Sequence, residues 1–286
     1  MNKKKIYSTW FLAPAMIIFI IIFIIPTIAS FFFSLTIWDF KTWRFIGLDN
    51  FKMFFSERSL NIGIRNTLIY AFLTCAIKVI FAFFLAVFLT GKIKTKNIQR
   101  ALIFFPNLVS SMAVGIVFTA MMHPTKGLIN NALSIFADTR INWLGNPDLA
   151  LFSIIGVDVW KGLSIATVIY VAGIQSIDKT YYEAAEIDGA SSRQKLFYIT
   201  TPLARSAMNS IIILSFIGGL RSFDLIWAMT GGGPGFATDV MASIVYKQYA
   251  AGFYGLSTAG NVIMFIMIAL LVFPLQKFLL SKEVDS

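Results

Sequence analysis

The hydrophobic pattern is dominated by long unbroken apolar runs, not by the short alternations of half-buried strands or the one-sided stripes of surface helices. A helix that crosses a bilayer needs about 20 mostly apolar residues. Six segments meet that length, at about 10–33, 67–89, 101–122, 150–175, 206–228 and 256–279. The first follows a basic start, MNKKK, and runs for about 24 residues, longer than the roughly 7–15 of a signal-peptide core. With no small-x-small cleavage site after it, it is read as a retained span. Strand alternation is weak, which argues against a membrane barrel. The expected fold is therefore an all-α polytopic membrane protein with six transmembrane helices. Residues 1–286 are expected to form a single transmembrane domain, because no polar block between the spans is long enough for a separate soluble one.

Composition agrees. Of 286 residues, 57% are hydrophobic and 13% charged, against about 25% charged in soluble domains. The formal net charge of +10 could signal nucleic acid in a soluble protein. Here its distribution points instead to membrane orientation, since Lys and Arg concentrate in cytoplasmic loops. With six spans, the termini and the second and fourth connections share one side. That side carries Lys3, Lys4 and Lys5, then Lys92, Lys94, Lys96 and Arg100, then Lys179, Arg193, Lys195 and Arg205, then Lys277 and Lys282. These thirteen outnumber the eight on the other side. Both termini are therefore expected in the cytoplasm of a bacterial-type cell (inner) membrane. The connection between the fourth and fifth spans is expected there too.

Several activities lack their residues. There is no G-x-x-x-x-G-K-[ST] loop, and the nearest glycine cluster, TGGGPGFAT at 230–238, has no lysine to reach a phosphate. The only histidine, His123, is followed by Pro124 and has no second ligand at metal-binding spacing. Cys75 is alone, so no intramolecular disulfide can form. No nucleophile–base pair emerges from the spacing. An enzyme is not expected, and no cofactor or metal is expected in this chain.

Charges inside the spans are costly and are usually paired or functional. Lys78 lies near the middle of the second span. Asp158 and Lys161 are three apart in the fourth, and Arg221 and Asp224 are three apart in the fifth. That spacing places opposite charges on one helix face. Trp160 and Trp227 stand beside them. One reading is local ion pairing. The other is a water-filled cavity offering charged groups and indole faces, a surface suited to a sugar, with Asp158, Trp160, Lys161, Arg221, Asp224 and Trp227 as the path candidates. Asn107, Ser110, Ser111, Ser215 and Asn261 could add hydrogen bonds or serve helix packing.

Between the fourth and fifth spans stands TYYEAAEIDGASSRQKLF, residues 180–197. Thr180 and Glu183 have capping-box spacing, and Gly189 offers a left-handed terminus. A short helix over 181–188 is expected, about 12 Å long. Tyr181, Ala184 and Ala185 share a face whose alanines allow close approach. A helix this short is not stable in water by itself and must pack on something.

This stretch resembles the E-A-A motif of the permeases of ATP-binding-cassette importers. Glu183, Ala184 and Ala185 are followed by Gly189, then by Ile199 and Pro202 at the family's offsets, with Thr201 in place of the usual leucine. SFDLIWAMTGGGPGFAT at 222–238 resembles the signature of the carbohydrate type, and RALIFFPNLVSSMAVG and INWLGNPDLAL resemble the same family. The chain is most similar to the first permease of sugar importers such as the maltose and glycerol-phosphate systems. The resemblance implies a cytoplasmic coupling segment over 178–202, with Glu183, Ala184, Ala185, Asp188 and Gly189 at the ATPase contact. It also implies a homologous second permease, two ATPase subunits that hold ATP and magnesium, and an extracytoplasmic sugar-binding protein, with no nucleic acid. The cargo would be a sugar or oligosaccharide. Alternatives are another polar solute such as a glycerophosphodiester, or a secondary transporter.

Overall fold

A computed structural model describes residues 9–91, 95–136 and 139–281. Lys3, Lys4, Lys5, Lys92, Lys94 and Lys282, which carry much of the orientation argument, lie outside the described residues. The structure is mostly helical, with four helices long and apolar enough to cross a membrane and two bent helix pairs that bring the total to six if each pair is one span.

The helices are α1 (Trp10–Ser34), α2 (Asp49–Ser56), α3 (Arg58–Thr90), α4 (Lys96–Leu108), α5 (Ser111–Met121), α6 (Leu128–Leu133), α7 (Pro147–Gln175), α8 (Lys179–Ile187), α9 (Ser192–Leu203), α10 (Arg205–Leu220), α11 (Asp224–Thr230), α12 (Met241–Ala250) and α13 (Tyr254–Leu280). A hairpin of β1 (Thr36–Trp38) and β2 (Trp43–Phe45), unforeseen in the sequence, pairs Thr36 with Phe45 and Trp38 with Trp43.

The first, fourth and sixth expected spans match α1, α7 and α13 to within a few residues. The second begins earlier, at Arg58, because Ser59–Asn66 continue the helix although they are more polar. Two expected spans are not continuous. Residues 101–122 form α4 and α5, bent by 98°. Pro106 inside α4 removes a backbone donor, and Val109 and Ser110 are extended. Residues 206–228 end as a helix at Leu220, and α11 restarts at Asp224 after Phe223 leaves the helical region at φ −141°. The turn before it is also broken, since α9 meets α10 at 64°.

The chain divides into two compact units, one of residues 1–60 and 244–266, the other of 61–243 and 267–286. In the smaller, Asp39 Oδ1 accepts the Lys41 and Thr42 amides at 3.0 and 2.6 Å and turns the hairpin. Those amides hold the Asp39 carboxyl below its usual range. Trp38 stacks on Phe33 at 4.2 Å, and Phe40 meets Tyr254 edge-on at 4.3 Å. Buried Asn50 donates to the carbonyls of Ser34 and Thr36 at 2.8 and 2.9 Å. The most apolar stretch of α1 has no buried residue.

In the larger unit, α3, α5, α7 and α11 share a core around Tyr70, Val114, Ile154, Ile155, Ile226 and Met229. A second core joins α3, α7 and α10 through Ala82, Ala86, Leu89, Tyr170 and Ile211. Small residues set the separations. A Cβ at Gly115 would strike Ala228, and one at Gly219 would strike the Ala71 backbone. Lipid is as apolar as the helices, so such close approach is how membrane helices hold together.

Candidate functional site

α8 is built almost entirely from local signals. Its cap is Asp178, whose Oδ1 accepts the Thr180 amide at 2.9 Å. This corrects the expected cap, Thr180 with Glu183. The helix starts two residues earlier than expected, since aspartate reaches the first free amides as well as threonine does. The Thr180 amide holds the Asp178 carboxyl below its usual range. At the other end Gly189 is left-handed, φ +73°. Its amide donates to Glu186 O at 3.1 Å, and the Ala190 amide donates to Ala185 O at 2.8 Å. Together these form a complete Schellman terminus.

α9 follows with its own capping box, Ser191 and Gln194. Two ties bind the two helices: Lys195 Nζ to Glu186 Oε1 at 2.7 Å and Tyr182 OH to Thr200 Oγ1 at 3.0 Å. Thr201, at the motif's leucine position, donates its hydroxyl to Leu196 O at 2.8 Å. Ile199 and Pro202 both lie in α9.

These ties fix which face of α8 is left open. Tyr182 and Ala185 are half-buried, whereas Tyr181, Glu183, Ala184 and Asp188 are exposed. Ile187 is 88% exposed. Tyr181, Ala184 and Ile187 follow one another at three-residue steps and form one small apolar strip. Ile187 was missed in the sequence; its i+3 spacing from Ala184 was the available signal. Glu183 makes no ion pair or side-chain hydrogen bond with the described residues, so it does not cap its own helix.

The charges within the spans pair differently from the i, i+3 expectation. Asp158 takes Lys78 as its partner, Nζ to Oδ2 at 2.7 Å, with the two side chains only 10% and 23% exposed. Lys161 donates to Ser111 Oγ at 2.7 Å, at the corner between α4 and α5. Helix spacing made Asp158 and Lys161 neighbours, but each is better satisfied by a group on another helix. Irregular backbone at membrane depth survives only where protein or a wet cavity covers it, and Lys161 serves that corner. The buried Tyr70 hydroxyl lies beside Asp158 and Ser222 without closing a hydrogen bond.

Arg221 and Asp224 do not share a helix face. Arg221 terminates α10, Asp224 begins α11, both are exposed, and no ion pair joins them. Trp227 stacks on Phe223 at 5.6 Å, and Trp160 packs on Phe118 at 5.2 Å. A cavity of about 300 Å³ opens beside the ion pair, lined by Lys78, Gly162, Ile169, Ile211, Ser215 and Gly218. Gly162 leaves room for the lysine stem, which an added Cβ would strike.

The glycine loop is a tight turn. Gly231, Gly232 and Gly235 have positive φ, Thr238 donates to Gly233 O at 2.8 Å, and Asn66 donates to the carbonyls of Ala237 and Asp239 at 2.9 Å. His123 Nδ1 accepts the Thr125 and Lys126 amides at 3.3 and 3.2 Å. No group of three His, Cys, Asp or Glu that could hold a metal occurs among the described residues.

Bent apolar helices thus surround a partly polar interior, and one self-capped helix is left open on one face. The chain belongs to the family described as the binding-protein-dependent transport system inner membrane component, whose model matches residues 78–282. It is 32% identical over 257 residues to the trehalose/maltose transport system permease protein MalF of Thermococcus litoralis, covering 89% of this chain and 87% of that protein. It is 30% identical over 286 residues to the multiple sugar-binding transport system permease protein MsmF of Streptococcus mutans, covering 99% and 97%. Its fold matches a chain in the crystal structure of a bacterial ABC transporter involved in the import of the acidic polysaccharide alginate. The TM-score is 0.84 at 22% identity, covering 94% of this chain and 93% of that one. The family is one of transport permeases, not of catalysts.

Proposed function

We propose that this chain is one permease subunit of an importer that takes up a sugar or oligosaccharide. A second homologous permease completes the pathway, two ATPase subunits supply the work, and an extracytoplasmic binding protein delivers the cargo. Residues 1–286 act as one permease domain, with six spans and both termini in the cytoplasm. The named relatives transport sugars, which supports the cargo class.

The observation that carries the reading is α8. Its ends are capped within the chain and it is joined to α9 by Glu186–Lys195 and Tyr182–Thr200, yet its Tyr181–Ala184–Ile187 strip stands open. A rigid, shallow, apolar strip flanked by Glu183 and Asp188 suits insertion into a groove on an ATPase. Ala185 backs this strip and lets α8 sit close to its own chain, and Gly189 turns the backbone away. Closure of the ATPases would move α8 as a lever and switch the cavity from inward- to outward-facing as a rigid-body change.

Asp224 and Trp227, with Arg221, lie at the α10–α11 corner and line the sugar path in this reading. Asp158, Trp160 and Lys161 support its wall, with the Lys78 ion pair behind them. Ile187→Glu places a charge on the docking strip and leaves both caps intact. The expected result is normal membrane insertion with an ATPase that no longer co-purifies and uptake that falls at least tenfold. Wild-type uptake with the ATPase retained would remove α8 from the coupling role.

A further inference from the structure

Between α4 and α7, at the end of α3, lies a cleft of about 420 Å³. Its walls are apolar: Leu89, Ile103, Phe104, Val168 and Val171. Two polar residues join them, Arg100 and Thr167. Arg100 Nε is fully buried with no hydrogen-bond partner, and Thr167 Oγ1 is likewise unpartnered. The guanidinium has one long contact, Nη2 to Leu89 O at 3.5 Å. No ion pair to Arg100 forms among the described residues, and residues 91–100 contain no acid. A partly buried cation left this way is unfavourable until an anion completes it.

The depth of the cleft narrows the choice of anion. Leu89 is one residue from the end of α3, and Thr167 and Val171 lie eight and four residues before the end of α7. At 1.5 Å per residue the cleft therefore lies about 6–12 Å inside the end of α7 and borders the end of α3. That is where a lipid's phosphate and glycerol give way to its acyl chain. The polar groups are confined to Arg100 and Thr167, and the remaining wall is hydrocarbon. A sugar or a nucleotide would leave its hydroxyls unpaired against that wall.

We propose that this cleft binds one anionic phospholipid, with the phosphate on Arg100, the ester region by Thr167, and an acyl chain along Ile103, Phe104 and Val168. Basic pockets between membrane helices attract anionic headgroups by this chemistry. The lipid would then wedge α4 against α7 at the same end of the bundle as α8. The inference rests on the membrane reading of the spans and is independent of the cargo.

The test is native mass spectrometry of the full-length chain, purified with the subunits that accompany it. Dioleoylphosphatidylglycerol and dioleoylphosphatidylcholine are added in turn. The wild type should retain one phosphatidylglycerol with about fivefold preference over phosphatidylcholine. Arg100→Lys should keep most of that preference, Arg100→Gln should abolish it, and Val168→Trp should fill the cleft and displace both lipids. Equal retention of the two lipids by the wild type, or undiminished preference in Arg100→Gln, overturns the proposal. A photo-crosslinking residue at position 104, in the membrane of intact cells, guards against misfolded variants. An adduct of phospholipid mass supports the site, and an adduct to another polypeptide shows that a protein covers the cleft and overturns it.

Discussion

Around α8, the charged groups that pair do so within ten residues: Asp178 with the Thr180 amide, Glu186 with Lys195. In the middle of α7 neither charge does. Asp158 reaches Lys78, 80 residues earlier, and Lys161 reaches Ser111, 50 residues earlier. The difference follows from the solvent. At the exposed segment water satisfies whatever the chain does not, so only nearby and inexpensive pairings persist. Inside the spans an unpaired charge is so unfavourable that helices pack where they can supply a partner, however distant in sequence.

The largest effect should come from breaking the distant pair on one side only. Lys78→Met leaves Asp158 poorly solvated and should cost about 3–5 kcal/mol, read as a fall in the unfolding midpoint of the detergent-solubilised protein. Lys78→Met with Asp158→Leu should recover most of that loss, because two apolar side chains need no partner. If the double variant is as unstable as the sum of its singles, the two residues are not coupled and the comparison fails at its strongest point.

Next comes the end of α8. Gly189 sits at φ +73° and gives its amide to Glu186. Gly189→Pro forces φ near −65° and deletes that donor, at about 3 kcal/mol. Gly189→Ala meets open space and carries only left-handed strain, about 1–2 kcal/mol. The proline variant should insert normally yet uncouple ATP hydrolysis from uptake, and the alanine variant should be partly coupled. Wild-type uptake in both would mean that α8 does not act through its terminus.

These two regions also differ in how far they could be read beforehand. The short helix, its glycine stop and its place between spans were legible because caps and turns use adjacent residues. The cap itself was misplaced by two positions, since Asp178 and Thr180 are both good caps and only geometry selects one. Four spans were legible from length and hydropathy alone. The two broken ones were not, because hydropathy is blind to Ser110 and Phe223 leaving the helical region while apolar residues continue on both sides. The Lys78–Asp158 pair was unreadable for the same reason that it is strong: its partners come from different helices. Asp158 looked complete beside Lys161, and Lys78 looked alone.

A smaller effect tests the cap by acid. The Asp178 carboxylate is held below the ordinary aspartate value of about 3.9 by the Thr180 amide. A depressed folded-state value means that the cap's contribution is complete at neutral pH and fades as the pH falls through that lowered value. The protection factor of the first-turn amides of α8, their exchange rate relative to an unstructured peptide at the same pH, should therefore fall several-fold in strong acid. Asp178→Asn keeps an acceptor that does not titrate and should hold its protection factor across the same range. A wild-type protection factor that is flat down to pH 2 would place the cap elsewhere.

The smallest effect concerns Glu186 and Lys195. Their 2.7 Å contact looks as strong as that of Lys78 and Asp158, but the Glu186 side chain is 66% exposed. Water competes for both ions, so Glu186→Gln should cost no more than about 0.5 kcal/mol, and added salt should erase even that. The Lys78–Asp158 pair, shielded from solvent, should keep its coupling from low to molar salt. Two contacts of equal length would then differ several-fold in energy because one is wet and the other is not. If Glu186→Gln instead destabilises by as much as Lys78→Met, exposure does not govern these charges, and α8 is held to the bundle far more firmly than its open face implies.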